Sequence, residues 1–217
     1  MTPTVVVLSA PSGAGKTTIT RALLAARPDV AFSVSATTRA PRPGERHGEA
    51  YYFVSRAEFA QRRAAGELLE CAEYAGHWYG TLRAEVERIL ASGQHALLDI
   101  EIEGARQVRA AYPRPRSVSI FVLPPSAAAL LDRLRGRESE PRPVLARRLA
   151  RAVEELKEVP RFDYVVVNDT LAAAVADVGA ILDGRAPRPA DPDSLALMVD
   201  TLAAALGRES VRLRREP

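Results

Sequence analysis

Two habits of hydrophobic patterning alternate along the 217-residue chain. Short, nearly unbroken apolar runs at residues 5–9, 31–35, 96–100, 117–123 and 164–167 lack the in-and-out alternation of a half-exposed strand. Such runs predict strands buried on both faces, as in a parallel sheet. Between them, apolar positions recur at helical spacing: Ile19, Leu23 and Leu24 after the first run, Val86, Ile89 and Leu90 within 83–92, and Ala105, Val108 and Ala111 from Gly104 onward. A helix opening at Pro124-Pro125-Ser126 and reaching Leu134 is predicted next, followed by helices over 144–159 and 170–182. The last is predicted over 194–206, where Leu195, Met198, Val199, Leu202 and Leu206 form an apolar stripe. Strands and helices taking turns in this way predict an α/β fold with a parallel sheet.

One region breaks the rhythm. Residues 36–45 contain Pro41, Pro43 and Gly44, so they cannot be regular helix and predict an ordered loop that presents Arg39 and Arg42. An aromatic strand at 50–54, a helix over 56–65 stopped by Gly66, and an extended stretch over 68–79 follow. Together these make a small, mostly β insertion. Residues 135–144, charged and broken by proline, predict an exposed mobile segment, and 187–192 predict a linker to the final helix and its arginine-rich tail.

Composition narrows the function classes. Hydrophobic residues at 47% suffice for a core, and 30 basic against 27 acidic side chains leave a net charge of +3. That charge is too small and too evenly spread to argue for a nucleic-acid partner. A single cysteine, Cys71, excludes an internal disulfide and a cysteine zinc site, which suits a reducing, cytoplasmic setting. No run approaches the roughly 18 apolar residues of a membrane span, so no membrane partner is expected. Met1-Thr2-Pro3 lead straight into the first strand, which predicts no signal peptide. His47, His77 and His95 are scattered, and none reads as a metal ligand.

The densest chemistry lies in residues 5–18, VVVLSAPSGAGKTT, where the first strand runs into a glycine-rich turn and then a helix. This is the grammar of a phosphate-binding loop. Gly13 and Gly15 let successive N–H groups converge on a phosphate, and the helix starting near Lys16 aims its positive end at the same point. Lys16 would reach the β and γ phosphates, and the Thr17 hydroxyl would bind a magnesium ion. The pattern usually opens on glycine where Ala10 stands. Only Lys16 and Lys157 are lysines among the 30 basic residues. A slim ammonium at position 16 is thus a departure from the chain's arginine habit.

A phosphate loop alone specifies only nucleotide binding, so the partner must be read elsewhere. The guanidinium forks of Arg39 and Arg42 suit phosphate oxygens, and Tyr51 and Tyr79 could add phenolic donors, although each tyrosine alone reads as a core or rim aromatic. Guanine presents N1–H and N2 amino donors side by side, which one carboxylate accepts together and adenine cannot match. Glu70 and Asp99 are candidates for that role. Asp99 also ends a buried strand, where phosphate-loop enzymes hold magnesium, and either acid alone could be a strand-end charge.

VVLSAPSGAGKTT, SVSATTRAPRPGE, YYF, LLECAEYAGHWYGT, LLDIEIEGA, FVLPPS, RLRGRE, ARRLARAVEEL and FDYVVVND, in this order, resemble the bacterial-type guanylate kinases, which phosphorylate GMP with ATP. The resemblance spans residues 4–183 and implies a parallel-sheet P-loop kinase core flanked by helices, at 1–35, 82–125 and 159–186. It further implies a GMP-binding insertion at 36–81 and a helical lid at 126–158, leaving 187–217 as a linker and amphipathic tail. By that likeness Ser35, Arg39, Arg42, Tyr51, Glu70, Tyr79, Gly80, Thr81 and Asp99 fall on the GMP site. Ala10, Pro11, Ser12, Gly13, Ala14, Gly15, Lys16, Thr17 and Thr18 fall on the ATP loop, Arg133, Arg137 and Arg148 on the lid, and Asn168 near the adenine. The implied reaction is transfer of the γ-phosphoryl group of Mg-ATP to GMP, with Lys16, Arg39, Arg42, Arg137 and Arg148 as its cationic machinery and Mg2+ held by Thr17 and Asp99. Acceptance of dGMP and the oligomeric state are left open.

The chain departs from the family at Glu103, commonly glutamine, and at Glu138, commonly glycine, with Pro141 and Pro143 close by; a stiffer lid is the expectation. Two rival readings are a ribose bisphosphate kinase of similar build and a guanylate-kinase-like module that binds peptides. The first offers Glu70 and Asp99 no guanine edge. The second tends to lack a working phosphate loop, which Gly13, Gly15, Lys16 and Thr17 supply here.

Overall fold

A computed structural model describes residues 2–74, 76–135, 142–185 and 191–215. In chain order, β1 (Val5–Ser9) leads through the glycine turn into α1 (Lys16–Ala26), and β2 (Val30–Phe32), β3 (Ser35–Thr37), β4 (Tyr52–Phe53), α2 (Arg56–Ala64), β5 (Leu68–Tyr74) and β6 (His77–Leu82) follow. The second half holds α3 (Arg83–Ala91), β7 (His95–Asp99), α4 (Ile102–Ala111), β8 (Ser117–Leu123), α5 (Ala127–Arg135), α6 (Arg142–Leu156), β9 (Tyr164–Val167), α7 (Leu171–Leu182) and α8 (Pro192–Arg215). Five strands share one sheet in the order β2-β7-β1-β8-β9, and four share another in the order β4-β3-β6-β5. Among the described residues no helix is long and apolar enough to cross a membrane.

The chain divides into two compact units, Met1–Leu8 with Leu24–Ser119 and Ser9–Leu23 with Ile120–Pro217. In the first, β1 and β2 both pair in parallel with β7. Every residue of β1 is buried, as are the first four of β7, which is why neither strand alternates in polarity. The smaller sheet carries its own core. Phe59 of α2 packs with Ala36 and Leu68, and Tyr52, Val54, Trp78 and Leu82 close around them. Ser55 caps α2 by accepting a hydrogen bond from the Glu58 N–H at 3.0 Å.

In the second unit β8 pairs in parallel with β9, and Phe121 meets Phe162 edge to face at 5.0 Å. Thr170 caps α7. The C-terminal helix α8 packs along α6 and touches α5, with Leu202, Leu206 and Leu213 buried.

Five expectations are corrected. The single strand predicted over 31–35 is two strands in different sheets: β2 ends at Phe32, the Ser33 N–H still donates to Leu97, and β3 begins at Ser35. An apolar run has no feature that marks a change of sheet. The extended stretch over 68–79 is a hairpin that pairs Tyr74 with His77, and Gly76 supplies a φ of +78°. The helix expected from Gly104 begins at Ile102, and the one expected to stop at 206 continues to Arg215 because its arginine-rich end keeps helical propensity. In the segment expected to be mobile, Arg142, Pro143 and Val144 are the first turn of α6, where proline's missing N–H costs nothing, and residues 136–141 lie outside the described residues.

Candidate active site

The phosphate loop is built from backbone. Gly13 and Gly15 hold φ of +91° and +96°, conformations that cost an ordinary side chain on the order of 1–2 kcal/mol. Space excludes a side chain as well: a Cβ on Gly15 would stand 2.3 Å from Asn168 Nδ2, and one on Gly13 would press on Leu130 and Leu134 at 3.0 Å. The Ala14 N–H donates to the Pro11 carbonyl at 3.0 Å, and the Thr18 and Ile19 N–H groups both donate to the Gly15 carbonyl at 3.1 Å. The turn therefore runs directly into α1, whose N-terminus is the positive end of the helix dipole. Lys16 opens this helix half-buried, with Thr17 and Thr18 exposed beside it. Ala10, Pro11 and Ala14 are buried and Ser12 is half-buried.

Distant elements brace the loop. Asn168 Nδ2 donates to the Ala14 carbonyl at 2.8 Å, and Arg133 Nη1 of α5 donates to the same oxygen at 3.2 Å. Arg148 Nη2 of α6 donates to Ser12 Oγ at 2.6 Å. Asn168 is itself held at the end of β9, where its backbone N–H donates to Leu123 at 2.8 Å. So the structure places Asn168, Arg133 and Arg148 on the loop itself. Arg137, with Glu138 and Pro141, lies outside the described residues. Glu103 is paired with Arg106 on the exposed side of α4 at 2.7 Å.

The other candidates gather on the small sheet. Across β3, β6 and β5, Ser35 pairs with Thr81 and Thr81 with Glu70, while Ala36, Gly80 and Cys71 form the next row. Thr81 Oγ1 donates to Glu70 Oε1 at 2.7 Å, and both residues are buried. Burial pushes the Glu70 carboxyl above the ordinary glutamate range even though Thr81 stabilises its charge. A Cβ on Gly80 would meet the Glu70 carbonyl at 2.9 Å, so only glycine fits that row.

Beside this row stands a cationic and aromatic stack. Arg39 lies over Tyr51 at 5.4 Å and Phe53 at 5.7 Å, and Tyr51 meets Tyr79 edge to face at 5.9 Å. Burial raises the Tyr51 phenol pKa, with Tyr79 and Asp99 adding to it, so this ring stays protonated and able to donate. Asp99 ends β7 half-buried, in register with Leu8 one residue before the end of β1. Arg42 is exposed on the loop.

Sequence reasoning missed several supports. Glu45 takes Arg39 Nη2 on one oxygen at 2.9 Å and the Arg42 N–H on the other at 2.8 Å. The Arg39 bond raises that guanidinium's pKa and holds the Glu45 carboxyl below the usual range. Thr37, fully buried, donates to the Trp78 carbonyl at 3.0 Å and accepts from the Arg39 N–H at 3.2 Å, rooting the loop on β6. A Cβ on Gly104 would lie 2.4 Å from Glu70 Oε2. Gln107 of α4 grips both backbone groups of Cys71 at 3.1 Å. Only Glu45 left a trace in the sequence, as an acid three residues after Arg42 at the far side of Gly44.

For a magnesium ion the described residues gather no cluster of three or more histidine, cysteine or acidic side chains. The donors on offer, the Thr17 hydroxyl and the Asp99 carboxylate, are hard oxygens. Magnesium arriving with a nucleotide uses such donors singly, completing its shell with phosphate and water, so each of the two, taken by itself, has the donor chemistry that the ion takes.

The sequence profile described as guanylate kinase matches residues 2–185. Guanylate kinases of Trichormus variabilis and Symbiobacterium thermophilum are 49% and 52% identical over 179 and 177 residues, in each case 82% of this chain, and 89% and 83% of the relatives. The crystal structure of guanylate kinase from Anaplasma phagocytophilum superposes with a TM-score of 0.69 at 34% identity, covering 84% of this chain and 86% of that one. A braced phosphate loop, a buried acid in a small β insertion and this breadth of agreement lead to one conclusion: the chain belongs to the guanylate kinase family.

Proposed function

We propose that the protein is an ATP:GMP phosphotransferase, working in the cytoplasm, that moves the γ-phosphoryl group of ATP onto the α-phosphate of GMP to give ADP and GDP. The observation that carries the acceptor half is Glu70, a buried carboxylate with one oxygen held by Thr81. Two acceptor oxygens on one rigid acid suit the adjacent N1–H and N2 donors of guanine; adenine would leave a buried charge unpaired. Ser35 and Thr81 line the same row, while Arg39, Arg42, Tyr51 and Tyr79 receive the monophosphate.

No covalent intermediate is needed, since the acceptor phosphate is already a nucleophile. The protein supplies charge neutralisation and alignment for two polyanions. The loop N–H groups and Lys16 hold the donor phosphates, and Arg148 neutralises the group in transfer together with Arg137. Before phosphate arrives Arg39 is engaged by Glu45, so on binding GMP Arg39 exchanges one anionic partner for another, and the loop keeps its shape in the interval. Bound with ATP and held by Thr17 and Asp99, Mg2+ would neutralise phosphate charge and polarise the leaving group.

A coupled assay of ADP release tests this reading. GMP should support turnover, whereas AMP, UMP and ribose bisphosphate should not; rapid release with AMP but not GMP would overturn the specificity argument.

A further inference from the structure

The profile match stops at residue 185, yet the chain goes on to build the 24-residue α8. Its buried positions Leu202, Leu206, Ser210 and Leu213 recur every three or four residues and so lie along one side of the helix, while Leu197 and Val211 are exposed. Side by side with α6, its buried Ser210 Oγ donates to the Ala146 carbonyl at 2.8 Å. Ala146 lies two residues from Arg148, the residue that reaches Ser12 in the phosphate loop at 2.6 Å. The same helix touches α5, which carries Arg133 to the Ala14 carbonyl.

We propose that α8 is a positioning element for the donor site: it braces α6 and α5 so that Arg148 and Arg133 are already on the phosphate loop when ATP arrives. The inference rests on the phosphotransferase reading above. Its physical basis is preorganisation. A long arginine on a loosely held helix loses conformational freedom each time it grips phosphate, and a helix clamped along its length has lost most of that freedom in advance. The Ala146 carbonyl keeps a second lone pair beyond its own helical bond, so Ser210 sets the register of the two helices without breaking α6.

The test uses the full chain. Leu206→Ser removes the most buried contact of α8 and Ser210→Ala the register bond; Leu197→Ser, on the exposed side, is the control. With each substrate varied in turn, Leu206→Ser should raise KM for ATP about 5-fold or more, as expected when contacting groups are uncoupled, and leave KM for GMP unchanged. Ser210→Ala should give roughly a 2-fold rise that Ser210→Thr restores, and Leu197→Ser no change. In an Arg148→Ala background, Leu206→Ser should add little, because the arginine it positions is gone. The proposal is overturned if Leu206→Ser melts as a folded protein with an unaltered KM for ATP, if both substrates lose equally, or if its effect adds in full to that of Arg148→Ala. Should Leu206→Ser fail to fold, the Ser210 pair decides by the same criteria. A wild-type chain that released no ADP with GMP would overturn the phosphotransferase reading instead, and direct ATP titration of the same variants would then still decide whether α8 governs the loop.

Discussion

The phosphate loop and the candidate site on the small sheet are assembled by opposite routes. In the loop the chemistry belongs to the backbone: two glycines at positive φ and a helix start make an anion cradle from residues contiguous in the chain. In the sheet it belongs to side chains, and Ser35, Glu70 and Thr81 become neighbours only when three strands pair. A backbone cradle tolerates little change at its glycines and is indifferent to the base of the nucleotide. A cross-strand row of side chains can discriminate between bases, but it depends on whatever packs behind it. The difference predicts that damage to each region shows up in the kinetics of one substrate.

The largest effect should come from Lys16→Ala. Comparable electrostatic groups contribute about 2.7–4 kcal/mol to the barrier, so kcat should fall roughly 100- to 1000-fold with folding intact, as read by ADP release and thermal melting. Near-native turnover would refute the assignment of the loop. Glu70→Gln should come next: one acceptor oxygen becomes a donor facing guanine's donors, and kcat/KM for GMP should drop about 10- to 100-fold with KM for ATP unchanged.

Gly104→Ala sharpens the comparison, since it touches neither nucleotide. Its Cβ would lie 2.4 Å from Glu70 Oε2, so the carboxylate must shift, and KM for GMP should rise about 10-fold. An unchanged GMP term would mean that Glu70 has freedom the packing denies. On acidification, Glu70 should take up a proton at a pH above the ordinary glutamate value of 4.5, because burial raises its pKa. The protonated acid no longer offers two charged acceptors, so KM for GMP should climb as pH falls through that region while KM for ATP lags behind. For stability the sign is opposite: the folded state binds this proton more readily than the unfolded chain, so the Glu70 contribution improves as pH falls. The smallest effect is expected for Glu45→Gln, which should loosen the Arg39 loop and raise KM for GMP about 2- to 5-fold.

Local chemistry was readable from the chain alone. The strands β1, β7, β8 and β9, the glycine turn, the onset of α1 and the arginine loop follow from runs, breakers and periodicity, because each depends on residues close in sequence. Which acid faces what, by contrast, required the fold. By sequence Glu70 and Asp99 are both candidates for the guanine edge, yet one is sealed beside Thr81 and Gly104 and the other ends a core strand half-buried. Nothing local marks Asn168 as a brace 154 residues from Ala14, or α8 as the partner of α6, since such contacts exist only after the strands and helices have packed. Sequence by itself therefore determined that phosphate is held and which family the motifs resemble; tertiary structure decided which side chains are buried, which are paired, and what holds the loop in shape. The physical reason is that backbone conformation and helix onset are set within a few residues, whereas burial and side-chain pairing are properties of distant segments brought into contact.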